Sequence, residues 1–227
     1  MLRVFTDVET EYDFLLHIMT LTFDSAWRRR MLSRVDFSGE VRALDLACGT
    51  GLVTFELGRR ANAASTVVGL DLSPAMLRIA RRNRLRERNN CPIEFVRAVG
   101  EFLPFRDGFF NYITIGLALR NFADKLAMFR ESLRALTRSG WFLSVDFVRP
   151  GNALVWFLYR FHIFHVLPTL GRMVSSHWKE TLVYLANSIL ISMPPEETCR
   201  LLGETGFHYT LSDRVSLGII ASIAAQK

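Results

Sequence analysis

The segment "ALDLACGTGL", Ala43–Leu52, joins an apolar run to a glycine turn and then to a helix-forming stretch. Gly49 and Gly51 let the chain reverse sharply and let a ligand approach the backbone. The next apolar run, "TVVGLDL", ends near Asp71, about twenty residues on, where an acid can take a ribose hydroxyl pair. Strand, glycine turn, helix, strand and acid in this order predict an open parallel sheet with a ligand at its carboxyl end.

Two residues choose among nucleotides. Thr54 stands where a dinucleotide fold has its third glycine, which allows close helix packing under a pyrophosphate. Asp45, just before the turn, would repel a diphosphate but suits an ammonium or the polar atoms of an amino acid. No lysine follows the turn, which excludes a triphosphate-binding loop. A nucleoside carrying an amino-acid tail and no phosphate fits these features, and S-adenosylmethionine is such a ligand. On this reading Asp45, Gly49 and Gly51 face the methionine portion and Asp71 the ribose, with Ala47 also at the cofactor. Leu72 and Met76 face the adenine, and Gly100, Glu101 and Leu117 complete the cofactor site.

Outward from this segment the alternation continues. Ser73-Pro74 opens a helix, with Ser73 as its cap and proline where its missing N–H costs nothing. "IEFVRA" and "YITIGLAL" read as strands three and four, "KLAMFRESLRAL" as a helix and "GWFLSVDFV" as strand five. "PPEETCRLLGETGF" is a helix with a proline start and a glycine stop, and "HYTLS" and "LGIIASIAA" are a closing pair of strands. The expected fold is α/β: a doubly wound, mostly parallel, seven-stranded sheet in a single domain, residues 1–227. It carries an N-terminal helical arm (1–38) and a helical insertion after strand five (151–193).

The 227 residues are half hydrophobic, with eighteen Phe and four Trp, which excludes general disorder. Three scattered cysteines, Cys48, Cys91 and Cys199, form neither a disulfide framework nor a zinc pattern, so a reducing cytoplasm is expected. The net charge of +6 comes almost wholly from arginine and permits an anionic partner without choosing one. No early stretch has the order of a signal peptide. The most apolar run, Asn152 to Pro168, is shorter than a bilayer span and is interrupted by Arg160, His162 and His165. The pair "HIFH" lacks a companion acid or cysteine, so no metal is expected.

Several segments resemble a known family. "LDLACGTG", "VVGLDLSPAMLRIA", "VRAVGEFLPFRDGFFNYITIGLALRNFADK" and "LRALTRSGWFLSVDF" look like successive motifs of class I S-adenosylmethionine-dependent methyltransferases. They are most similar to the ubiquinone/menaquinone biosynthesis C-methyltransferase family. "EYDFLLHIMTLTFDSAWRR" is similar to its N-terminal signature, "FHVLPTLGRMVS" and "YLANSI" to its insertion, and "LLGETGF" to its last helix and strand. The chain departs from the family pattern at five positions. Val99 stands for an Asp or Asn beside the adenine amino group, Leu16 for an Asn, Asp24 for a His, Asp146 for a Glu and Asn187 for a Glu.

The resemblance implies methyl transfer to a ring carbon of a prenylated quinol. A quinol hydroxyl has a pKa of about 10, so ionising it needs help. Arg120, at the end of strand four, is the candidate cation, with Asn121 to orient the hydroxyl or a water. His165, or Asp13 beside Tyr12, is the candidate base. The aromatic insertion reads as a lid over a greasy acceptor. Arg28–Arg30 and the arginines between 78 and 88 are available to anionic lipid headgroups, although a solvated helix face is the commoner use of such runs. The expected partner is a lipophilic small molecule, with peripheral membrane contact and a homodimer left open. Alternatives are a methyltransferase of another lipid, such as a phospholipid amine, and a non-catalytic binding subunit. A nucleic-acid methyltransferase is disfavoured, because the insertion is apolar rather than basic with spaced stacking residues.

Overall fold

The computed structural model describes residue 20 and residues 23–227. Tyr12 and Asp13, Leu16, and the beginning of the expected arm lie outside the described residues. Helix α1 (Asp24–Leu32) precedes strand β1 (Arg42–Leu46), and α2 (Leu52–Arg60) leads to β2 (Thr66–Asp71). Then come α3 (Pro74–Arg84), β3 (Ile93–Arg97), β4 (Phe110–Gly116), α4 (Lys125–Ala135) and β5 (Leu136–Phe147). The insertion holds α5 (Ala153–Phe161), a π-helical turn (His162–Val166), α6 (Leu167–Val174) and α7 (Ser176–Leu190). Helix α8 (Pro195–Thr205) and strands β6 (Tyr209–Val215) and β7 (Ile220–Gln226) complete the chain.

The sheet order is β3-β2-β1-β4-β5-β7-β6. The first five strands run parallel, while β7 is antiparallel to both β5 and β6. The sheet reverses its winding between β1 and β4, and in open α/β sheets ligands gather at that crevice. Helices α1, α2, α3 and the insertion pack one core, around Met31, Phe55, Leu77, Ile163 and Trp178. Helices α4 and α8 pack the other, around Phe129, Phe142, Leu202 and Phe207.

Local chemistry sets the element ends. Ser73 caps α3 by accepting from Met76 N at 3.3 Å, with Pro74 in the first turn. Gly206, at φ +117, closes α8 in the left-handed conformation. Strand β5 begins at Leu136, four residues before the "GWFLSVDFV" segment. Phe110 pairs with Leu136 and Tyr112 with Trp141, so β5 bulges between these points.

The insertion corrects the expected length of the apolar run. The helix does not stop at Pro168 but continues, as one 22-residue helix from Ala153 to Val174, long and apolar enough by composition to span a bilayer. Proline inside an α-helix clashes with the carbonyl four residues earlier. The wider π-turn that immediately precedes Pro168, closed by Leu167 N donating to His162 O, is the local device that lets the helix proceed.

Gly69 shows how tightly β2 is packed. A Cβ there would lie 2.7 Å from the Phe95 ring and 3.0 Å from Cys48 Sγ. Gly69→Val is expected to cost about 1–3 kcal/mol, roughly 2–4 °C in Tm per kcal/mol. Gly39→Val, where nothing lies within 4 Å, is expected to leave thermal unfolding little changed.

Candidate active site

The carboxyl ends of β1, β2 and β4 and the loops after them enclose a cavity of about 370 Å³. Nine of the ten expected cofactor residues line it: Asp45, Ala47, Gly49, Asp71, Leu72, Met76, Gly100, Glu101 and Leu117. Gly51 does not. It sits at φ +94 at the start of α2, where a Cβ would meet the Phe55 ring at 2.7 Å, so its part is to turn the chain and admit that ring. Ala47 and Leu117 hold left-handed conformations, φ 52 and 57, at the ends of β1 and β4. Strain of this kind at non-glycine residues gathers where a chain must present backbone to a ligand.

Asp45 is fully buried. It accepts from Thr54 Oγ1 at 2.6 Å and from Thr114 Oγ1 at 3.0 Å. Both partners are neutral, and loss of solvent pushes its pKa up to about 7 against the opposing pull of the two hydroxyls. Thr54 therefore has a positive function where a dinucleotide fold would need glycine. Asp71 accepts from Gly49 N and Ser73 N, each at 2.8 Å, and ties the glycine turn to the start of α3. Burial raises its pKa too, while these N–H groups lower it. A carboxylate has about four acceptor sites, so the two bonds leave capacity for a hydroxyl pair. Burial also raises the Cys48 thiol well above its ordinary range, with the Asp45 and Asp71 carboxylates adding to the effect.

Arg120 and Asn121 occupy the opposite wall, in a 3₁₀ turn after β4. The Arg120 guanidinium forms a buried ion pair with Asp146. It also donates to Leu117 O at 2.6 Å and through Nε to Ser188 Oγ of α7 at 3.0 Å. Its backbone N–H donates to Asp146 at 2.9 Å. Tyr184 of α7 donates to Asn121 Oδ1 at 3.1 Å. The insertion is thus fastened to this wall at two adjacent residues. Asn187 is exposed on α7. His165 is exposed as well, stacked on Phe161 at 5.3 Å, and the structure does not bring it to the cavity.

Arg28 of α1 lines the cavity and was legible only as part of an arginine run. It is buried and pairs with Asp24 at 2.6 Å, and Asp24 also accepts from Thr20 at 2.8 Å. Thr50, Ser188 and Tyr184 were missed as well. Thr50 lay inside the quoted glycine turn, whereas nothing in the local pattern linked α7 to Arg120.

This lining fits S-adenosylmethionine. Three carboxylates (Asp45, Asp71, Glu101) and two arginines (Arg28, Arg120) face the cavity, a set hostile to a diphosphate. Leu72, Met76 and Val99 supply apolar surface for a base, and the volume falls in the range of roughly 300–1,000 Å³ usual for small-ligand sites. Comparison with known proteins agrees. The profile of the ubiE/COQ5 methyltransferase family matches residues 1–227. The chain belongs to this family. It is an S-adenosylmethionine-dependent methyltransferase. It is 34% identical over 222 residues to a ubiquinone/menaquinone biosynthesis C-methyltransferase UbiE of Xylella fastidiosa (strain M23), covering 96% of this chain and 86% of the relative. The UbiE of Idiomarina loihiensis is 33% identical over 220 residues, with the same coverage. Among solved structures, a possible histamine N-methyltransferase of Thermotoga maritima superposes with a TM-score of 0.69 at 16% identity, over all of both chains. An S-adenosylmethionine-dependent methyltransferase of Aquifex aeolicus gives 0.62 at 14% identity, over 88% of each chain. These two show the fold.

Asp45 generates a paired prediction. Its folded pKa lies above the ordinary carboxylate value, so the ligand-free protein loses stability as pH rises from about 4 through 7. Asp45→Asn removes that loss, and its Tm advantage over the parent should widen as pH rises from about 5 to 7.5. A cationic ammonium favours the ionised carboxylate. S-adenosylmethionine affinity should therefore rise with pH over the same window in the parent, and fall by about 10–100-fold in Asp45→Asn. Calorimetry at several pH values checks both; equal affinities for parent and variant would remove Asp45 from the cofactor site.

Proposed function

We propose that this methyltransferase acts on a ring carbon of a prenylated quinol, on the cytoplasmic side of a membrane. The observation that carries the reading is the helical insertion, apolar and fastened to Arg120 and Asn121 at the cavity wall, in a chain that belongs to the ubiE/COQ5 family. A prenyl tail needs apolar surface near the reacting ring, and the insertion, joined to the cavity wall through α7, would supply it as a lid. The UbiE relatives' printed activity, C-methylation in quinone biosynthesis, supports the same acceptor.

When bound, S-adenosylmethionine supplies a methyl group on a positively charged sulfur, which is already a strong electrophile. The chain's own residues hold the amino-acid end and raise the electron density of the acceptor. Arg28 and Asp45 give the zwitterionic tail a cation and an anion, with Asp24 fixing the Arg28 side chain. Asp71 takes the ribose diol. Val99 cannot accept from the adenine amino group, so backbone at Gly100 and packing against Leu72 and Met76 recognise the base.

At the other wall, the pairing with Asp146 cancels most of the Arg120 charge but holds the side chain rigid. Its Nη2 carries no hydrogen bond among the described residues, which leaves two donors for a quinol oxygen. A hydrogen bond from a charged donor to a developing phenolate is worth about 1.5–3 kcal/mol. Electron density then rises on the ring carbons that accept the methyl group. As the ring carbon takes the methyl group, the bond to sulfur breaks and S-adenosylhomocysteine leaves. The ring carbon then loses its proton as aromaticity returns, the oxygen ends protonated as it began, and one proton passes to solvent.

The test supplies methyl-labelled S-adenosylmethionine with reduced demethylated quinols, their oxidised forms, and phosphatidylethanolamine. Label on a ring carbon of the reduced quinol alone is expected; label confined to phospholipid would overturn the reading. Changing Arg120 alone leaves Asp146 buried and unpaired, at a cost of about 3–5 kcal/mol. The paired variant Arg120→Gln/Asp146→Asn avoids much of this. It should slow transfer by about 10–100-fold while cofactor affinity changes by less than about threefold. Equal losses of rate and affinity would make Arg120 a structural residue only.

A further inference from the structure

The insertion presents a surface that neither core uses. Leu154, Phe157, Leu158 and Phe161 are spaced i, i+3, i+4 and i+7, which places them on one face of α5. All four are more than half exposed, and no residue of α5 is buried. The exposed apolar character continues on α6 at Met173 and Val174, 80% and 60% exposed. An apolar band of this length is unusual on a water-facing surface.

Along the helix and its flanks up to Lys179 the charge has one sign, the next acid being Glu180 on α7. Between Phe147 and Lys179 the sequence holds Arg149, Arg160, Arg172 and Lys179 and not a single Asp or Glu. A soluble partner protein or a second copy of this chain would have to bring its own carboxylates to meet them. A bilayer with anionic headgroups offers apolar interior and negative surface together, which is the complement of a basic amphipathic helix.

The opposite face decides between lying on the membrane and crossing it. Ile163, Leu167 and Gly171 are buried against the protein. A Cβ at Gly171 would meet Leu182 Cδ1 at 2.6 Å and Lys179 N at 3.2 Å, so α6 and α7 are in close backbone contact. To span a bilayer the helix would have to leave this contact and carry Arg160 into the hydrocarbon, where a guanidinium is disfavoured.

We propose that the continuous helix Ala153–Val174 lies in the plane of an anionic membrane surface, with Leu154, Phe157, Leu158 and Phe161 in the acyl boundary and the arginines at the headgroups. This rests on the surface itself. The quinol reading adds only a reason for it: an insertion fastened to the cavity wall would face the phase in which a prenylated acceptor is dissolved.

The test is flotation of the full-length protein with quinone-free vesicles of phosphatidylcholine alone, or of phosphatidylcholine mixed with phosphatidylglycerol. Binding to the anionic vesicles is expected, weakened strongly at roughly 0.5 M salt, where charge interactions are screened within a few ångströms. Phe157→Glu/Phe161→Glu should reduce vesicle partitioning at least about tenfold, with cofactor affinity, measured by calorimetry, unchanged. Unaltered partitioning in that variant, or no binding to either vesicle, would overturn the proposal. So would resistance to alkaline extraction, which indicates a span, or a parent dimer that the variant converts to monomer. Because the vesicles contain no methyl acceptor, the outcome is independent of which acceptor the enzyme uses.

Discussion

A carboxylate with no charged partner among the described residues organises the cofactor half of the molecule. Asp45 lies near the end of β1 and is buried completely, held by the hydroxyls of Thr54 on α2 and Thr114 on β4. Those two bonds join three elements at the point where the sheet reverses its winding, and so fix the floor of the cavity. Neutral donors alone do not repay the desolvation of a carboxylate, and its proton is retained up to about pH 7. Such a group is unfavourable to the empty fold and favourable to a cationic ligand. The site is arranged for the complex rather than for the ligand-free protein.

The acceptor half is built on the opposite plan. There the buried cation, Arg120, already has its anion in Asp146, and hydrogen bonds extend outward from the pair to Leu117 and to Ser188 of α7. A buried ion pair adds little net stability, but losing either partner is costly. Asp146 replaces the longer Glu of the family pattern, and it still reaches both the guanidinium and the backbone N–H of Arg120. The same pair fixes the strand end and the insertion together. A change in the lid therefore reaches the cavity wall through Ser188 and Tyr184 without passing through the cofactor site.

What the sequence disclosed follows the range of the interactions. The glycine turn, the Ser73 cap, the Gly206 stop and Asp71 are set by neighbours a few residues away, and their patterns could be read directly. Fold class followed from strand–helix alternation for the same reason. The value of Thr54 lay in a carboxylate one strand away, so the sequence showed what it excludes and not what it binds. Arg28 looked like surface charge because its partner, Asp24, marks a departure from the family pattern and no period reveals which face of a short helix is buried. The alliance of Arg120 with Ser188 spans 68 residues and had no local signature. The apolar run was measured only as far as Pro168, whereas the helix passes through that proline behind a widened turn and reaches Val174.

The two halves also differ in what holds them. Strand ends and left-handed residues shape the cofactor side, and these positions are constrained by sheet register on both flanks. Helices shape the acceptor side, and α5 buries none of its residues. Substitution on the exposed face of α5 leaves both cores intact, whereas a change at Gly69 meets Phe95 at once. Acceptor access can therefore vary between relatives without disturbing how the cofactor is held. The departures noted in the chain include Val99, which lines the cavity beside Gly100. They also include Asp24 and Asp146, each of which forms an ion pair with an arginine that lines the cavity. Both changes keep a carboxyl group or introduce one at the wall, so this enzyme positions its two cavity arginines by paired charge.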